Sequence, residues 1–342
     1  MNNPRYLSGG AKRRHGAARL LLAAAALVAA GIVVIVLVSP GSNERRRSAS
    51  ASHAPPTAAA DPAVRALRSG GGATPPTSEN ARYAVDLALP DVVKLRFGHQ
   101  PRAGLLFDVK TGRVLWRHNP TRMLPIASLT KMMTALIVAE RENPHDRVRI
   151  SKRAVTTPGS AVGLLPKGKS VQLEALMNGL LLVSGNDAAV ALAEHTAGSV
   201  RAFVRLMNER AHELFLSCTH FTTPHGLQDR GNRSCAADLG TLARANLARG
   251  RIRRIVRRSQ AVLQFPIKGG RLFLYNNNPL IRAGYPGTNG LKTGYTDRAG
   301  RSLVATVRRG RVELGVVLLH SVDPATQAKQ LFRRGFRAMR TL

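Results

Sequence analysis

The stretch I-A-S-L-T-K-M-M-T-A-L-I-V-A-E, Ile126 to Glu140, decides how the rest of the chain is read. Apolar residues fill most of its positions and Pro125 stands just before it, so the pattern predicts a buried helix from Ser128 onward. Ser128 and Lys131 are three residues apart, which on a helix puts the hydroxyl and the amine on one face. Serine is a poor nucleophile unless something takes its proton. A neutral lysine can do that, but an ordinary amine leaves only about one molecule in 2,500 neutral at pH 7. Burial and a second nearby cation lower that pKa, so the pattern is functional only if another lysine joins it. Taken alone, S-x-x-K is most simply a capped helix with a solvated lysine.

Working outward, L-L-L-V-S-G-N-D-A-A-V-A-L-A, Leu180 to Ala193, sets a polar S-G-N inside an apolar helical stretch. Buried there, Ser184 and Asn186 need partners. A substrate in a cleft would supply them, and a turn between two helices would serve equally well. The chain holds two Lys-Thr-Gly triplets. The first, Lys110 to Gly112, joins two short apolar runs, Ala103 to Asp108 and Arg113 to His118, and reads as a hairpin turn. The second, in N-G-L-K-T-G-Y-T from Asn289, lies one strand before a hairpin built around R-R-G-R at 308–311. Glycines there let a ligand approach the backbone. Lys292, Thr293, Gly294 and Tyr295 thus become candidates for holding a carboxylate and an oxyanion.

S-L-T-K, S-G-N and K-T-G in that order resemble the active-site serine penicillin-recognising enzymes, a class marked by its S-x-x-K and K-T-G elements. The blocks P-I-A-S-L-T-K-M-M-T-A, G-S-A-V-G-L-L-P-K-G, L-L-V-S-G-N-D-A-A, H-F-T-T-P-H-G-L and G-L-K-T-G-Y-T-D-R-A-G are most similar to the D-alanyl-D-alanine carboxypeptidases of peptidase family S11, over about residues 101–338. The resemblance implies an α/β fold of the β-lactamase/transpeptidase type, with an antiparallel sheet flanked by helices plus an all-helical subdomain. It implies an acyl-enzyme route on peptidoglycan stem peptides ending in D-Ala-D-Ala, and trapping by β-lactams, with no cofactor and no metal. By carry-over Ser128 is the nucleophile, Lys131 the base and Ser184 the relay to the leaving D-Ala. Asn186 orients the peptide, and Lys292 with Thr293 takes the terminal carboxylate.

Two departures stand out. S-V-D-P-A-T-Q, Ser321 to Gln327, lacks the basic residue that family members often carry there, and Arg298 is a substitute only by nearness in sequence. The chain also ends soon after F-R-R-G-F-R, so an N-terminal span is expected to stand in for the family's C-terminal anchor. A class A β-lactamase needs a deacylating Glu after its S-D-N, whereas E-A-L-M-N at 174–178 precedes S-G-N. A dormant wall-binding or β-lactam-sensing protein is the remaining alternative.

Residues 20–38 are an uncharged apolar run of helical length about 28 Å, enough to cross a bilayer. A basic tail, 1–19, precedes it and favours a cytoplasmic N-terminus with the catalytic domain outside the cell. Cleavage as a signal peptide, giving a secreted protein, is the competing reading. Residues 39–90 have the Ser/Ala/Pro/Gly composition of a disordered linker, and the catalytic domain is expected over 91–342. Cys218 and Cys235, the only two cysteines, flank a strand and turn and are expected to bridge in an oxidising compartment. The histidines show no metal-binding spacing.

The formal charge of +33 points to an anionic membrane or anionic wall polymers as partners. No zinc-finger or RNP-like signature accompanies it, so nucleic acid is not expected. The densest patch, R-I-R-R-I-V-R-R at 251–258, reads as a solvated helix face.

Overall fold

The computed structural model describes residues 78–341, except 164 and 228–230. The basic tail 1–19, the apolar run 20–38 and the linker up to 77 lie outside the described residues, all of which belong to one compact unit. Among the described residues no helix is long and apolar enough to cross a membrane.

Five strands form the central sheet: β1 (Ala103–Asp108), β2 (Val114–His118), β3 (Thr288–Gly294), β4 (Arg301–Arg309) and β5 (Val312–Ser321). Their order is β2-β1-β5-β4-β3, every pair antiparallel. The strands read as continuous apolar runs because both faces are covered. Leu105, Phe107, Val304, Val317 and Leu319 face the main helical core, while Leu106, Leu303, Ala305, Val316 and Leu318 face a smaller one. Helix Pro324–Ala338 closes the smaller core with Leu331, Phe332 and Phe336. The first hairpin turns as the sequence predicts. Asp108 accepts from the Thr111 N–H (2.7 Å) and hydroxyl (2.9 Å), and Gly112 has φ +84°, which a side chain would resist.

The segment between β2 and β3 is mostly helical, as expected, but three short two-stranded ladders interrupt it: 124–125 with 233–234, 147–149 with 170–172, and 260–264 with 271–275. Its longer helices are α1 (Lys131–Arg141), α2 (Leu173–Leu181), α3 (Asn186–Ala197), α4 (Val200–Glu213), α5 (Ala236–Ala248) and α6 (Gly250–Val256).

The chain joins the fold earlier than Asp91. Tyr83 is buried, and the Arg244 guanidinium donates to the carbonyls of Ala84, Val109 and Lys110. The Trp116 indole N–H donates to Leu95 O at 3.0 Å, and Asp91 accepts from Arg117 Nε at 2.6 Å. Composition alone hides this, because these residues are held by single side chains and backbone bonds rather than by an apolar run.

The R-I-R-R-I-V-R-R patch is less solvated than its sequence implies. Arg251 pairs with Glu174, Arg253 with Glu313, and Arg258 donates to Asn178.

Candidate active site

Ser128 sits on a 3-10 turn, Ala127–Thr130, that leads into α1, rather than inside an α-helix. With three residues per turn, such a turn stacks positions i and i+3 directly. The Lys131 amine accordingly donates to Ser128 Oγ at 2.8 Å. Two further acceptors fix it: Asn186 Oδ1 at 2.7 Å and the His225 carbonyl at 2.9 Å. Lys131 has no exposed surface, and its pKa is held well below the ordinary lysine value. Burial is the main cause and the Lys292 charge the second, with Asp187 opposing them. The second lysine that the chemistry requires is therefore Lys292, which is itself 2% exposed and brought by burial to about 7.

Asn186 opens α3 and spends its amide on both sides. Its Oδ1 accepts a hydrogen bond from the Lys131 amine, its Nδ2 donates to Pro158 O (2.8 Å), and its backbone N–H donates to Ser160 O (2.6 Å). The next residue, Asp187, accepts from the N–H groups of Val162 (2.9 Å) and Gly163 (3.1 Å). N-D thus latches the G-S-A-V-G segment over the site, a role the sequence did not reveal. Ser184 takes a left-handed backbone, φ +67°, which is costly outside glycine. Its hydroxyl is buried and has no partner in the described structure.

A cleft of about 320 Å³ opens on these groups. Ser128, Ser160, Ser184, Thr293, Tyr295 and Arg301 are among its lining residues, and no carboxylate is. Gly294 is needed for close approach, since a Cβ there would lie 2.9 Å from the Ile126 carbonyl and 3.3 Å from the Ser128 N–H nitrogen. Strand β3 and the Ser128 turn therefore meet backbone to backbone. Lys292 and Thr293 project to opposite faces of β3. The Lys292 amine lies buried, donating to Thr293 O at 2.9 Å, while Thr293 lines the cleft.

Arg301, not Arg298, is the cation at the cleft. It begins β4 directly opposite Ser321 and donates to Val322 O at 3.1 Å. Sequence reasoning missed it because Arg301 is brought beside S-V-D-P across the ladder from another strand.

Cys218 and Cys235 are joined, with Cα atoms 5.6 Å apart. They close the loop that carries the His225 carbonyl. That loop is stitched to the Ser128 segment by Thr134 Oγ1 to Pro224 O (2.6 Å) and Asn232 Nδ2 to Thr130 Oγ1 (3.2 Å). The His225 ring is kept neutral, its pKa brought to about 4 by burial and then by Lys131 and Arg153. Its Nδ1 accepts from the Leu227 N–H.

Residues 96–322 match the family profile described as D-alanyl-D-alanine carboxypeptidase, peptidase S11. The D-alanyl-D-alanine carboxypeptidase DacF of Bacillus subtilis is 34% identical over 68% of this chain and 60% of its own length. Among solved structures, penicillin binding protein 6B from Escherichia coli superposes with a TM-score of 0.66 at 32% identity, covering 74% of this chain and 81% of that one. A D-alanyl-D-alanine carboxypeptidase from Mycobacterium tuberculosis gives 0.68 at 30% identity, covering 74% and 96%. The match to the Bacillus protein means that this chain spans about three fifths of that curated relative's length. The architecture is that of the penicillin-binding proteins, a transpeptidase/β-lactamase fold.

Proposed function

Because the chain belongs to peptidase family S11, the D-alanyl-D-alanine carboxypeptidases, we propose that it removes the terminal D-Ala from peptidoglycan stem peptides ending in D-Ala-D-Ala. The observation that carries this reading is the 2.8 Å contact between Ser128 Oγ and the fully buried Lys131 amine. Neutral Lys131 takes the Ser128 proton as Oγ attacks the penultimate D-Ala carbonyl. The backbone N–H groups of Ser128 and Tyr295 receive the developing oxyanion. The proton then passes through Ser184 to the departing amine, D-Ala leaves, and an ester to Ser128 remains. Water attacks that ester, the acyl group departs, and Ser128 regains its proton.

Asn186 both positions Lys131 and orients the substrate peptide. The terminal carboxylate binds Thr293 and Arg301 at the mouth of the cleft, over the positive potential of buried Lys292. β-Lactams acylate Ser128 by the same attack. The absence of a carboxylate from the cleft lining argues against a class A-like hydrolase, because Glu174 is instead engaged by Arg251.

In the layout we propose, residues 1–19 are cytoplasmic, 20–38 span the membrane, and a linker from 39 holds the catalytic domain outside the cell. The charge of +33 favours association there with anionic membrane or wall polymers. The test of the activity is D-Ala release from a pentapeptide ending in D-Ala-D-Ala. Native protein should release it, and Ser128→Ala should be slower by at least about a thousandfold. Equal rates for the two proteins would remove the proposal.

A further inference from the structure

At the end of the sheet away from Ser128 lies a second and larger cleft, of about 420 Å³. Strand β4 connects the two: Ser302 lines the catalytic cleft, and Arg308 lines this one. Six residues separate them, or about 20 Å along a strand. Arg82, Lys110, Arg244, Arg253, Arg308 and Arg311 surround the second cleft, and Glu313 is the single carboxylate among its lining residues. That carboxylate is already bonded by Asn289 (3.0 Å) and Arg253 (3.3 Å). The cations come from four places that the fold brings together: the segment before β1 with Arg82, the β1–β2 turn with the first Lys-Thr-Gly triplet, the end of β4 with the β4–β5 turn, and α5 with α6.

We propose that this cleft docks a flexible phosphodiester polymer of the kind that gives a cell wall its negative charge. Arginine's planar fork matches phosphate oxygens, and five of the six cations are arginines. The Lys110 and Arg311 side chains are exposed and make no hydrogen bond or ion pair among the described residues, so their charge is available to a ligand. A thread-like chain enters a concave site of this kind, whereas a flat bilayer reaches only its rim. Nucleic acid is the less fitting polyanion. Tyr83, the only aromatic residue lining the cleft, is buried and covered by the Arg82 guanidinium 4.9 Å from its ring, leaving no surface on which a base can stack. Docking here leaves the catalytic cleft open and tethers the enzyme to the polymer beside its substrate.

The test uses the full chain in a neutral detergent, with fluorescein-labelled poly(glycerol phosphate) as the probe and anisotropy as the readout at several salt concentrations. A double variant, Lys110→Glu with Arg311→Glu, should bind about tenfold more weakly or worse, with the salt slope reduced by about one for each phosphate that is no longer neutralised. Its turnover of a soluble D-Ala-D-Ala peptide should match that of the native chain, which shows that the fold and the catalytic cleft are intact. Arg201→Glu with Arg205→Glu makes the same charge change at exposed positions of α4 and should leave binding unaltered. Equal losses from the two double variants would overturn the proposal, because net charge alone would then explain the binding. It would also be overturned if the Lys110/Arg311 variant kept its affinity for the polymer and lost it for phosphatidylglycerol vesicles or a single-stranded oligonucleotide.

Discussion

At Lys131 three acceptors surround an amine that water cannot reach: Ser128 Oγ, Asn186 Oδ1 and the His225 carbonyl. Burial disfavours its charged form first, and the Lys292 charge adds to that. Removing the second charge in Lys292→Met should raise the Lys131 pKa. Less of the amine is then neutral at a given pH, so the acid limb of the acylation rate should move toward higher pH; an unmoved limb would separate the two lysines electrostatically. A stability effect follows from the same residue. Lys292 titrates near 7 when folded and near 10.4 when unfolded, so between those values the unfolded chain binds more protons and stability rises with pH. Chemical denaturation across pH 7 to 10 should show this rise in the native chain and less of it in the variant. The Ser128–Lys131 spacing was legible in sequence because it is a local pattern. The His225 carbonyl was not, because any residue can offer a backbone acceptor.

Two elements deliver groups to the cleft from a distance. The loop between Cys218 and Cys235 brings the His225 carbonyl and is fastened to α1 and the turn before it by Thr134 and Asn232. Closing a loop of 17 residues restricts the unfolded chain by about 3 kcal/mol. Replacing both cysteines with serine should lower the unfolding free energy by about that amount and slow acylation as the loop loosens. A variant of unchanged stability and rate would show the bridge to be incidental. The second element is the β4–β5 ladder, where Arg301 stands opposite Ser321. Arg301→Leu should reduce kcat/KM for a peptide with a free C-terminal carboxylate by about tenfold or more, the worth of a charged hydrogen bond. The corresponding peptide amide should be much less affected, and equal losses on both would assign Arg301 a merely structural part. No spacing rule identifies this residue, since strand register decides which side chains are neighbours and the ladder shifts between Arg301 and Leu303.

Across the whole molecule, the sheet holds two charged clefts at its two ends, one lined by Ser128 and the other by Arg308 and Arg311. The family resemblance that the motifs carry was enough to anticipate the antiparallel sheet and the helical segment between its first and last strands. It missed the entry of residues 83–90 into the fold, where the anchors are buried Tyr83 and the Leu87 and Leu89 carbonyls that accept from Arg117, rather than a periodic pattern. Charge was legible as a total and as local runs, not as a cleft. The gathering of six cations around the second cleft depends on which segments the fold brings together, and the run at 251–258 that looked most basic is partly paired with Glu174 and Glu313. The central claim is that Ser128 Oγ is the atom acylated, because the pKa of the amine beside it is held well below the ordinary lysine value. The most direct measurement is mass spectrometry of the peptides recovered after reaction with penicillin. The account predicts one adduct, on the peptide containing Ser128, that is lost in both Ser128→Ala and Lys131→Ala; an adduct on any other residue, or one that persists in Ser128→Ala, would contradict it.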